Sequence, residues 1–224
     1  LLESRGLGDV YKRQTESIFN GKFGNSGNMV VLEEKIHGPE VSVFALCDGT
    51  KYILLPSAQD HKRLNEEDKG PNTGGMGAYS PAPLLTKNYL ERIIKEIIEP
   101  TINELNKKNI DYKGVIYFGL MITKSGPKVI EYNCRFGDPE CQTIMPLMDQ
   151  SFVFLLEKCS MGNLTGSEKI DTSDKVSGCV IATSKGYPHE YKTGFPIKIG
   201  KIDSDDCQIF DSGTSLSKDG ELLT

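Results

Sequence analysis

The sequence has 224 residues, which is enough for one large domain or for one and a half ordinary ones. Hydrophobic residues make up 38% and charged residues 25% of it, a composition that excludes a disordered chain and indicates a globular one. The formal net charge of -5 provides no global basic field, so we expect neither a nucleic-acid nor a membrane partner.

Cysteine usage indicates the compartment. The 6 cysteines include no CxxC pair, and most of them lie within apolar runs. This pattern is typical of buried, reduced thiols and predicts a cytoplasmic protein. No apolar run approaches the roughly 20 residues of a membrane helix, so no such helix is predicted.

The first segment of the chain, residues 1–14, has neither helical nor strand periodicity. It resembles translated sequencing-adapter sequence, and we therefore expect a non-native leader that makes few contacts with the rest of the chain. At the other end, Lys218-Asp219-Gly220 predicts a hairpin turn whose return strand is missing. Because an unpaired strand is an unfavourable end for a domain, both ends are expected to be truncations.

Strands are the first elements predicted after the leader. Residues 29–34 are rich in β-branched residues and residues 40–46 alternate, so each segment predicts a strand. The Asp-Gly pair that follows predicts a hairpin turn to a third strand at 51–56. Residues 57–83 are dense in glycine, proline and charge without periodicity, which predicts a long functional loop.

A long helix is predicted next. Thr86 is expected to cap it, apolar residues recur at helical spacing from Tyr89 to Leu105, and Pro100 predicts a kink or two abutting helices. Strands are then predicted at 114–123 and 128–133, and a helix is predicted at 152–161. After Asp171 the pattern changes to short strands and turns, which predicts a second, β-rich domain.

The strongest chemical signal is the run KVIEYNCRFGDPE, residues 128–140. Side chains alternate along a strand, so Glu131 and Asn133 are expected on one face with their oxygen atoms a few ångströms apart. Magnesium prefers oxygen ligands and shares them with substrate phosphates. The alternative is a strand terminus with an Asn turn, which Arg135 and the two carboxylates after it make less favourable.

A second signal is QDHKR, residues 59–63, followed by the glycine-rich run GPNTGGMGAYSP, residues 70–81. Three glycines in four residues let backbone N–H groups approach a ligand and predict an anion-binding loop. Lys62 and Arg63 would add positive charge beside phosphoryl oxygens. The alternative is a flexible surface loop with solvated cations.

A third, weaker signal is LEEKIHGPE, residues 32–40. A strand that passes into a linker offers backbone groups to an adenine edge, and the carboxylate of Glu40, seven residues after Glu33, would hold ribose hydroxyls. An acidic surface linker would look the same. The 3 histidines are far apart in the sequence, which argues against a His-based metal site.

Together and in this order, the motifs QDHKR, GPNTGGMGAYSPAP and KVIEYNCRFGDPE resemble the glycinamide ribonucleotide synthetase family of ATP-grasp ligases. The resemblance implies an α+β fold, with an incomplete ATP-grasp domain at 15–170 that has an antiparallel sheet and helices. The start of a small β-rich C-terminal domain is implied at 171–224. The implied reaction belongs to de novo purine biosynthesis: ATP phosphorylates glycine, and 5-phosphoribosylamine attacks the glycyl phosphate to give glycinamide ribonucleotide, ADP and phosphate.

The resemblance also implies ATP and Mg²⁺ as cofactors, with Mn²⁺ as an alternative metal, and it assigns a role to each motif. The residues that it implies are the metal ligands Glu131 and Asn133; the ATP-binding residues Glu33, Lys35, Ile36 and Glu40; the substrate-binding residues Asn72, Thr73, Gly74, Gly75, Met76, Gly77 and Asp138; and the catalytic cations Lys62, Arg63 and Arg135.

Two departures limit what this chain is expected to do. The strand before the metal strand reads YFGLM and has no carboxylate, which the resemblance implies for the synthetase family itself, whereas many other ATP-grasp enzymes have one there. The N-terminal substrate domain and the glycine-rich lid are absent, so the chain alone is expected to be inactive. The resemblance implies a monomer and allows fusion to other purine-pathway domains.

Two other functions remain open. One is another ATP-grasp carboxylate–amine ligase, such as a carboxyaminoimidazole-type synthetase, against which the GPNTGGMGAYSP loop argues. The other is a non-catalytic nucleotide-binding module, which the intact set of Glu131, Asn133 and Arg135 disfavours.

Overall fold

The computed structural model describes residues 16, 18–22, 24–29, 31, 33–149, 151–168, 170 and 174–224. The chain divides into two compact units, Leu1–Ile36 and His37–Thr224. The predicted leader at 1–14 lies outside the described residues, and the predicted domain boundary at 171 also falls on residues that are not described.

The described part of the first unit consists of short turns and irregular backbone. Helical turns span Ile18–Lys22 and Gly24–Asn28. The strand predicted at 29–34 is wrong, because its described residues have no strand structure. Met29 and Val31 are 82% and 74% exposed, so these apolar side chains do not have the packed sheet surface on which β-propensity depends.

The second unit is built on an antiparallel sheet of four strands. In chain order, the strands of this unit are β1 Glu40–Asp48, β2 Tyr52–Leu54, β3 Gln59–Asp60, β4 Arg63–Asn65, β5 Lys69–Asn72, β6 Gly77–Ser80, β7 Lys113–Thr123, β8 Gly126–Asn133, β9 Ser177–Val180, β10 Ser215–Leu216 and β11 Leu222–Leu223. The four-stranded sheet has the order β2-β1-β7-β8, and all its neighbours are antiparallel. The strands predicted at 40–46, 51–56, 114–123 and 128–133 are confirmed.

Alternation along the two central strands gives the sheet two buried faces. Val43 of β1 and Phe118 of β7 lie in one apolar cluster, whereas Phe44 and Tyr117 lie in the other. The first face is covered by the long predicted helix and the second by a helix near residue 155. Both strands therefore read as nearly continuous apolar runs.

The long helix consists of three consecutive helical segments. Helix α1 spans Lys87–Ile93, a π-helical turn spans Ile94–Ile98, and α2 spans Glu99–Lys107. The expected cap is confirmed, because Thr86 Oγ1 accepts a hydrogen bond from the Tyr89 amide. Pro100 lies in the first turn of α2, where its missing N–H costs little, so the prediction of abutting helices is confirmed.

Two shorter helices follow β8. Helix α3 spans Glu140–Ile144, and α4 spans Ser151–Met161, which confirms the helix predicted at 152–161. No helix among the described residues is long and apolar enough to cross a membrane.

The prediction of a loop at 57–83 is wrong in part. Strands β4 and β5 pair as a hairpin, and β6 lies between β3 and β9 in a small antiparallel sheet. These strands are only 2 to 4 residues long, which is too short for a periodic pattern to appear in the sequence. The partner of β6 on one side is also distant in the chain, at 177–180.

Two expectations about the C-terminal region and the thiols are corrected. The hairpin turn at 218–220 does have a return strand, because Leu222–Leu223 pairs with Ser215–Leu216. A two-residue strand suffices for this ladder. All six cysteines are free, but only Cys47 and Cys159 are buried.

Candidate active site

The predicted metal ligands lie on one face of the edge strand β8. In the ladder with β7, Glu131 is opposite Gly119 and Asn133 is opposite Tyr117. A bulge at Ile130 precedes both residues and leaves the alternation between them intact. Glu131 and Asn133 therefore share the sheet face of Tyr117, which confirms the predicted geometry.

A glycine across the ladder makes room for Glu131. A Cβ atom at Gly119 would lie 2.9 Å from Cγ of Glu131, a separation too short for any larger residue to be accommodated without displacement. Glu131 itself is exposed and is not buried against the apolar core. The carboxylate is therefore accessible to a ligand.

Lys62 connects the QDHKR segment to this face of the sheet. Its Nζ atom lies 3.3 Å from Oε2 of Glu40, the first residue of β1. Partial burial lowers its pKa, but the carboxylates of Glu40, Glu131 and Asp60 outweigh burial and raise the pKa. Lys62 is therefore protonated at neutral pH, and Glu131 acts on it electrostatically, as expected for a side chain that faces 59–77.

Arg63 does not join this group. Its Nη1 atom donates to the carbonyl oxygen of Gly70 at 2.7 Å, in an exposed contact across the β4–β5 hairpin. The structure thus brings Lys62, but not Arg63, to the carboxylates.

Two further carboxylates lie next to this cluster, and neither has a role in the predicted motifs. Glu140 is only 2% exposed and accepts a hydrogen bond from Ser42 Oγ at 2.8 Å. The hydroxyl of Tyr117 lies 3.1 Å from the same Ser42 oxygen, and burial together with the charge of Glu140 raises the Tyr117 pKa. Glu140 thereby connects the start of α3 to β1 and β7.

The second of these carboxylates is Asp60. Burial, and then the charge of Glu140, raise the pKa of Asp60 to about 7. Its Oδ1 atom is buried and has no hydrogen-bond partner among the described residues. A polar residue within a loop motif gives no sign of such burial, which is why sequence analysis missed it.

The glycine-rich loop does not form the open anion cradle that its sequence predicts. Its four successive amides already have acceptors within the protein: Thr73 N bonds to Lys62 O at 2.7 Å, Gly74 N to Tyr187 Oη at 3.0 Å, Gly75 N to Thr73 Oγ1 at 3.0 Å and Met76 N to His61 O at 2.8 Å. The amides fix the shape of the loop and are not available to a ligand in this conformation.

The loop packs against the segment that follows the metal strand. A Cβ atom at Gly75 would lie 2.5 Å from Cδ of Pro139 and 2.9 Å from Oδ1 of Asp60, so only glycine fits there. Asp138 is exposed and accepts from Gln142 Nε2 at 2.7 Å. Asn72 is exposed at the end of β5, and Gly77 begins β6.

The remaining predicted residues lie in different parts of the chain. Arg135 is exposed, and its guanidinium donates to the carbonyl oxygen of Phe136 at 2.7 Å. Glu33, Lys35 and Ile36 have irregular backbone and belong to the first unit. Glu40 belongs to the second unit.

The residues present fit a partial set of metal ligands. Among the described residues, no group of three or more His, Cys, Asp and Glu side chains is arranged to hold a metal ion. Glu131 and Asn133 offer one carboxylate and one amide oxygen on an exposed face. That set suits a magnesium ion that takes its other ligands from phosphates and water.

Comparisons with known proteins connect this site to a family. The family described as "Phosphoribosylglycinamide synthetase, ATP-grasp (A) domain" matches residues 9–141. The phosphoribosylamine–glycine ligase of Caldanaerobacter subterraneus subsp. tengcongensis is 46% identical over 202 residues, which cover 90% of this chain and 48% of that protein. The trifunctional purine biosynthetic protein adenosine-3 of Gallus gallus is 44% identical over 203 residues, 90% of this chain and 20% of that protein.

A solved structure supports the same fold. The phosphoribosylamine–glycine ligase of Thermotoga maritima has a TM-score of 0.73 and 32% identity, and the match covers 86% of this chain and 46% of that chain. The ATP-grasp fold with its antiparallel sheet and helices is therefore confirmed. The chain spans about half the length of the bacterial ligase relatives that it matches.

Proposed function

This chain belongs to the phosphoribosylglycinamide synthetase family of ATP-grasp proteins, and we propose that it serves the ATP-dependent ligation of glycine to 5-phosphoribosylamine. The products would be glycinamide ribonucleotide, ADP and phosphate, formed through a glycyl phosphate in purine biosynthesis. The observation that carries the proposal is the position of Lys62, between Glu40 and the metal strand that bears Glu131.

Each motif takes a role in this proposal. Glu131 and Asn133 would hold Mg²⁺, or Mn²⁺ in its place, and the bound ion would neutralise charge on the ATP phosphates. The nucleotide itself would be held by Glu33, Lys35, Ile36 and Glu40. The substrate side would consist of Arg135, Asp138 and the loop Asn72, Thr73, Gly74, Gly75, Met76 and Gly77.

The charges of the chain's own residues suit this chemistry. Glycine carboxylate and the γ-phosphate of ATP repel each other, so cations have to hold them in line. Lys62 remains protonated because of its carboxylate neighbours, and Glu40 holds its ammonium group in place. A fixed cation of this kind can donate hydrogen bonds to a transferring phosphoryl group. Arg63 would contribute only by leaving its contact with the Gly70 carbonyl.

The arrangement of the whole protein is part of the proposal. Residues 15–170 would form part of an ATP-grasp domain, and 171–224 would belong to a small β-rich domain. We propose a cytoplasmic monomer. The trifunctional relative of Gallus gallus supports the prediction that fusion to other purine-pathway domains is allowed.

The test is an assay of ADP and glycinamide ribonucleotide formation by a protein that carries this sequence within a chain of the ligase relatives' length. We expect ADP formation that requires both glycine and 5-phosphoribosylamine. ADP formation without glycine would support another carboxylate–amine ligase instead. Nucleotide binding without ADP formation would support the non-catalytic module.

A variant pair sharpens this test. Lys62→Met should lower the rate on the order of 10²-fold, because one preorganised cation at the phosphoryl group is lost. Lys201→Met is the matched control, since Lys201 is exposed and contacts only its neighbour Asp203 among the described ion pairs. Equal rates for the two variants would contradict the role of Lys62.

A further inference from the structure

The hydroxyl of Tyr187 is a hydrogen-bond donor left over at the glycine-rich loop. The amides from Thr73 to Met76 are all bonded within the protein, and the Thr73 hydroxyl donates to the Lys62 carbonyl oxygen at 2.8 Å. Tyr187 Oη accepts from the Gly74 amide at 3.0 Å, so its own O–H proton is not used in that bond. No acceptor for this proton occurs among the described residues.

The position of this hydroxyl is well defined. The Tyr187 ring packs edge-on against Tyr191, with ring centroids 5.7 Å apart and planes at 62°. The Tyr187 amide also donates to the Ser184 carbonyl oxygen at 3.2 Å, so the backbone of the residue is held in a turn. A Cβ atom at position 74 would lie 3.3 Å from the hydroxyl, so a larger residue there would require a shift of a few tenths of an ångström.

The hydrogen-bond chain makes Tyr187 a stronger donor. A hydroxyl oxygen that accepts from a backbone N–H is polarised, and its own O–H bond then donates more effectively. Gly74 is exposed and Tyr187 is half-buried, so a solute can reach this point. An anion that accepts a hydrogen bond from the Tyr187 hydroxyl would thus interact with the Gly74 amide indirectly, through the tyrosine oxygen.

We propose that Tyr187 is an anion-binding residue that donates its hydroxyl hydrogen to a phosphate monoester group seated on the 72–77 loop. This inference rests on the proposed function, in which the loop handles the phosphate of 5-phosphoribosylamine. It adds a side chain from the segment after residue 174, which none of the sequence motifs includes. The Gly74 amide is then a positioning group and the hydroxyl is the ligand-contacting group.

The experiment uses a ¹⁵N-labelled protein that carries this sequence within a chain of the ligase relatives' length, with ribose 5-phosphate as the probe. Amide signals of 72–77 are followed during the titration, and ribose without phosphate is the uncharged reference. Tyr187→Phe keeps the ring and its packing but removes the hydroxyl. Tyr191→Phe is the matched control, because it removes a hydroxyl from the other ring of the same aromatic pair.

We expect ribose 5-phosphate to shift the Gly74 amide signal of the wild type, and ribose to leave it unchanged. Tyr187→Phe should raise the Kd of ribose 5-phosphate about tenfold, the usual effect of one hydrogen bond to a charged group, whereas Tyr191→Phe should leave it unchanged. Inorganic phosphate should compete with the probe. Unchanged signals for the β6–β9 ladder would show that Tyr187→Phe is folded.

Two results would overturn the inference, and they differ in what else they affect. A Kd in Tyr187→Phe equal to that of the wild type would refute the role of the hydroxyl and leave the proposed function standing. A wild type whose 72–77 signals do not respond to ribose 5-phosphate would refute the loop's substrate role as well.

Discussion

The site is organised by one lysine among several carboxylates. Lys62 forms an ion pair with Glu40, and the charges of Glu131 and Asp60 also act on it. Three carboxylates therefore stabilise its positive charge. A lysine whose folded-state pKa is raised keeps its stabilising charge at all pH values below its unfolded pKa of about 10.4. Lys62 therefore keeps its positive charge across the neutral range.

Replacement of Glu131 tests the metal strand directly. Glu131→Gln keeps the shape and one ligand oxygen but removes a negative charge, so Mg²⁺ should bind more weakly and the ligation rate should fall on the order of 10²-fold. The rate is measured in a chain of the ligase relatives' length at saturating glycine and 5-phosphoribosylamine, with magnesium titrated. Glu104→Gln, on the exposed surface of α2, is the control and should stay within about twofold. Wild-type rates in Glu131→Gln at every magnesium concentration would refute the metal assignment.

The raised pKa of Asp60 predicts how the free energy of unfolding depends on pH. Its folded-state pKa is raised from 3.8 to about 7, mainly by burial, so the folded protein binds more protons than the unfolded chain between these values. The free energy of unfolding should therefore fall as the pH rises through this window. Asp60→Asn removes the titrating group and should reduce the loss between pH 5 and pH 8 by about 1–2 kcal/mol, after allowance for partial solvent exposure.

Urea unfolding at the two pH values measures this difference. Asp203→Asn is the matched control, because Asp203 is exposed and its ion pair with Lys201 lies at the surface. The same pH dependence in Asp60→Asn and the wild type would contradict a raised pKa for Asp60.

At the element scale, the glycine-rich loop is held from two sides. Its backbone bonds to His61 and Lys62 on one side, and the strand that follows it, β6, pairs with β9 on the other. Long apolar strands and the capped helix could be predicted, because their periodicity lies within the element itself. The pairing of β6 with β9 could not, because a four-residue strand has no visible period and its partner is about 100 residues away.

The close approach of these two strands can be tested with a pair of glycines. A Cβ atom at Gly77 would lie 2.5 Å from the Cys179 carbonyl oxygen, whereas one at Gly178 would meet nothing within 4 Å. Gly77→Ala should therefore separate β6 from β9 and increase hydrogen exchange at the amides of β6 about tenfold or more. Gly178→Ala, in the same ladder, should leave exchange unchanged. Equal exchange in the two variants would show that the ladder tolerates a side chain at position 77.

At the scale of the whole molecule, the order of three motifs was sufficient to identify the family, but the site's contacts were less predictable. The shared face of Glu131 and Asn133 followed from strand alternation, which is a local rule. The burial of Asp60 and the bond from the Gly74 amide to Tyr187 depend on how distant segments pack. The bond from Arg63 to the Gly70 carbonyl oxygen depends on the short β4–β5 hairpin. None of these contacts leaves a pattern in the sequence.

The segment after residue 174 should therefore be needed for the loop, whatever domain it belongs to. Strand β9 pairs with β6, and the Tyr187 hydroxyl bonds to the Gly74 amide, so both contacts disappear when 174–224 is deleted. Hydrogen exchange at the amides of β6 should then rise about tenfold or more, because a strand that loses a neighbour opens more easily. The amides of β1 should keep their protection, since that strand pairs with β2 and β7. Deletion of 194–224 alone retains β9 and Tyr187 and should leave exchange in β6 unchanged; a rise of the same size in both deletions would mean that β9 is not what stabilises the loop.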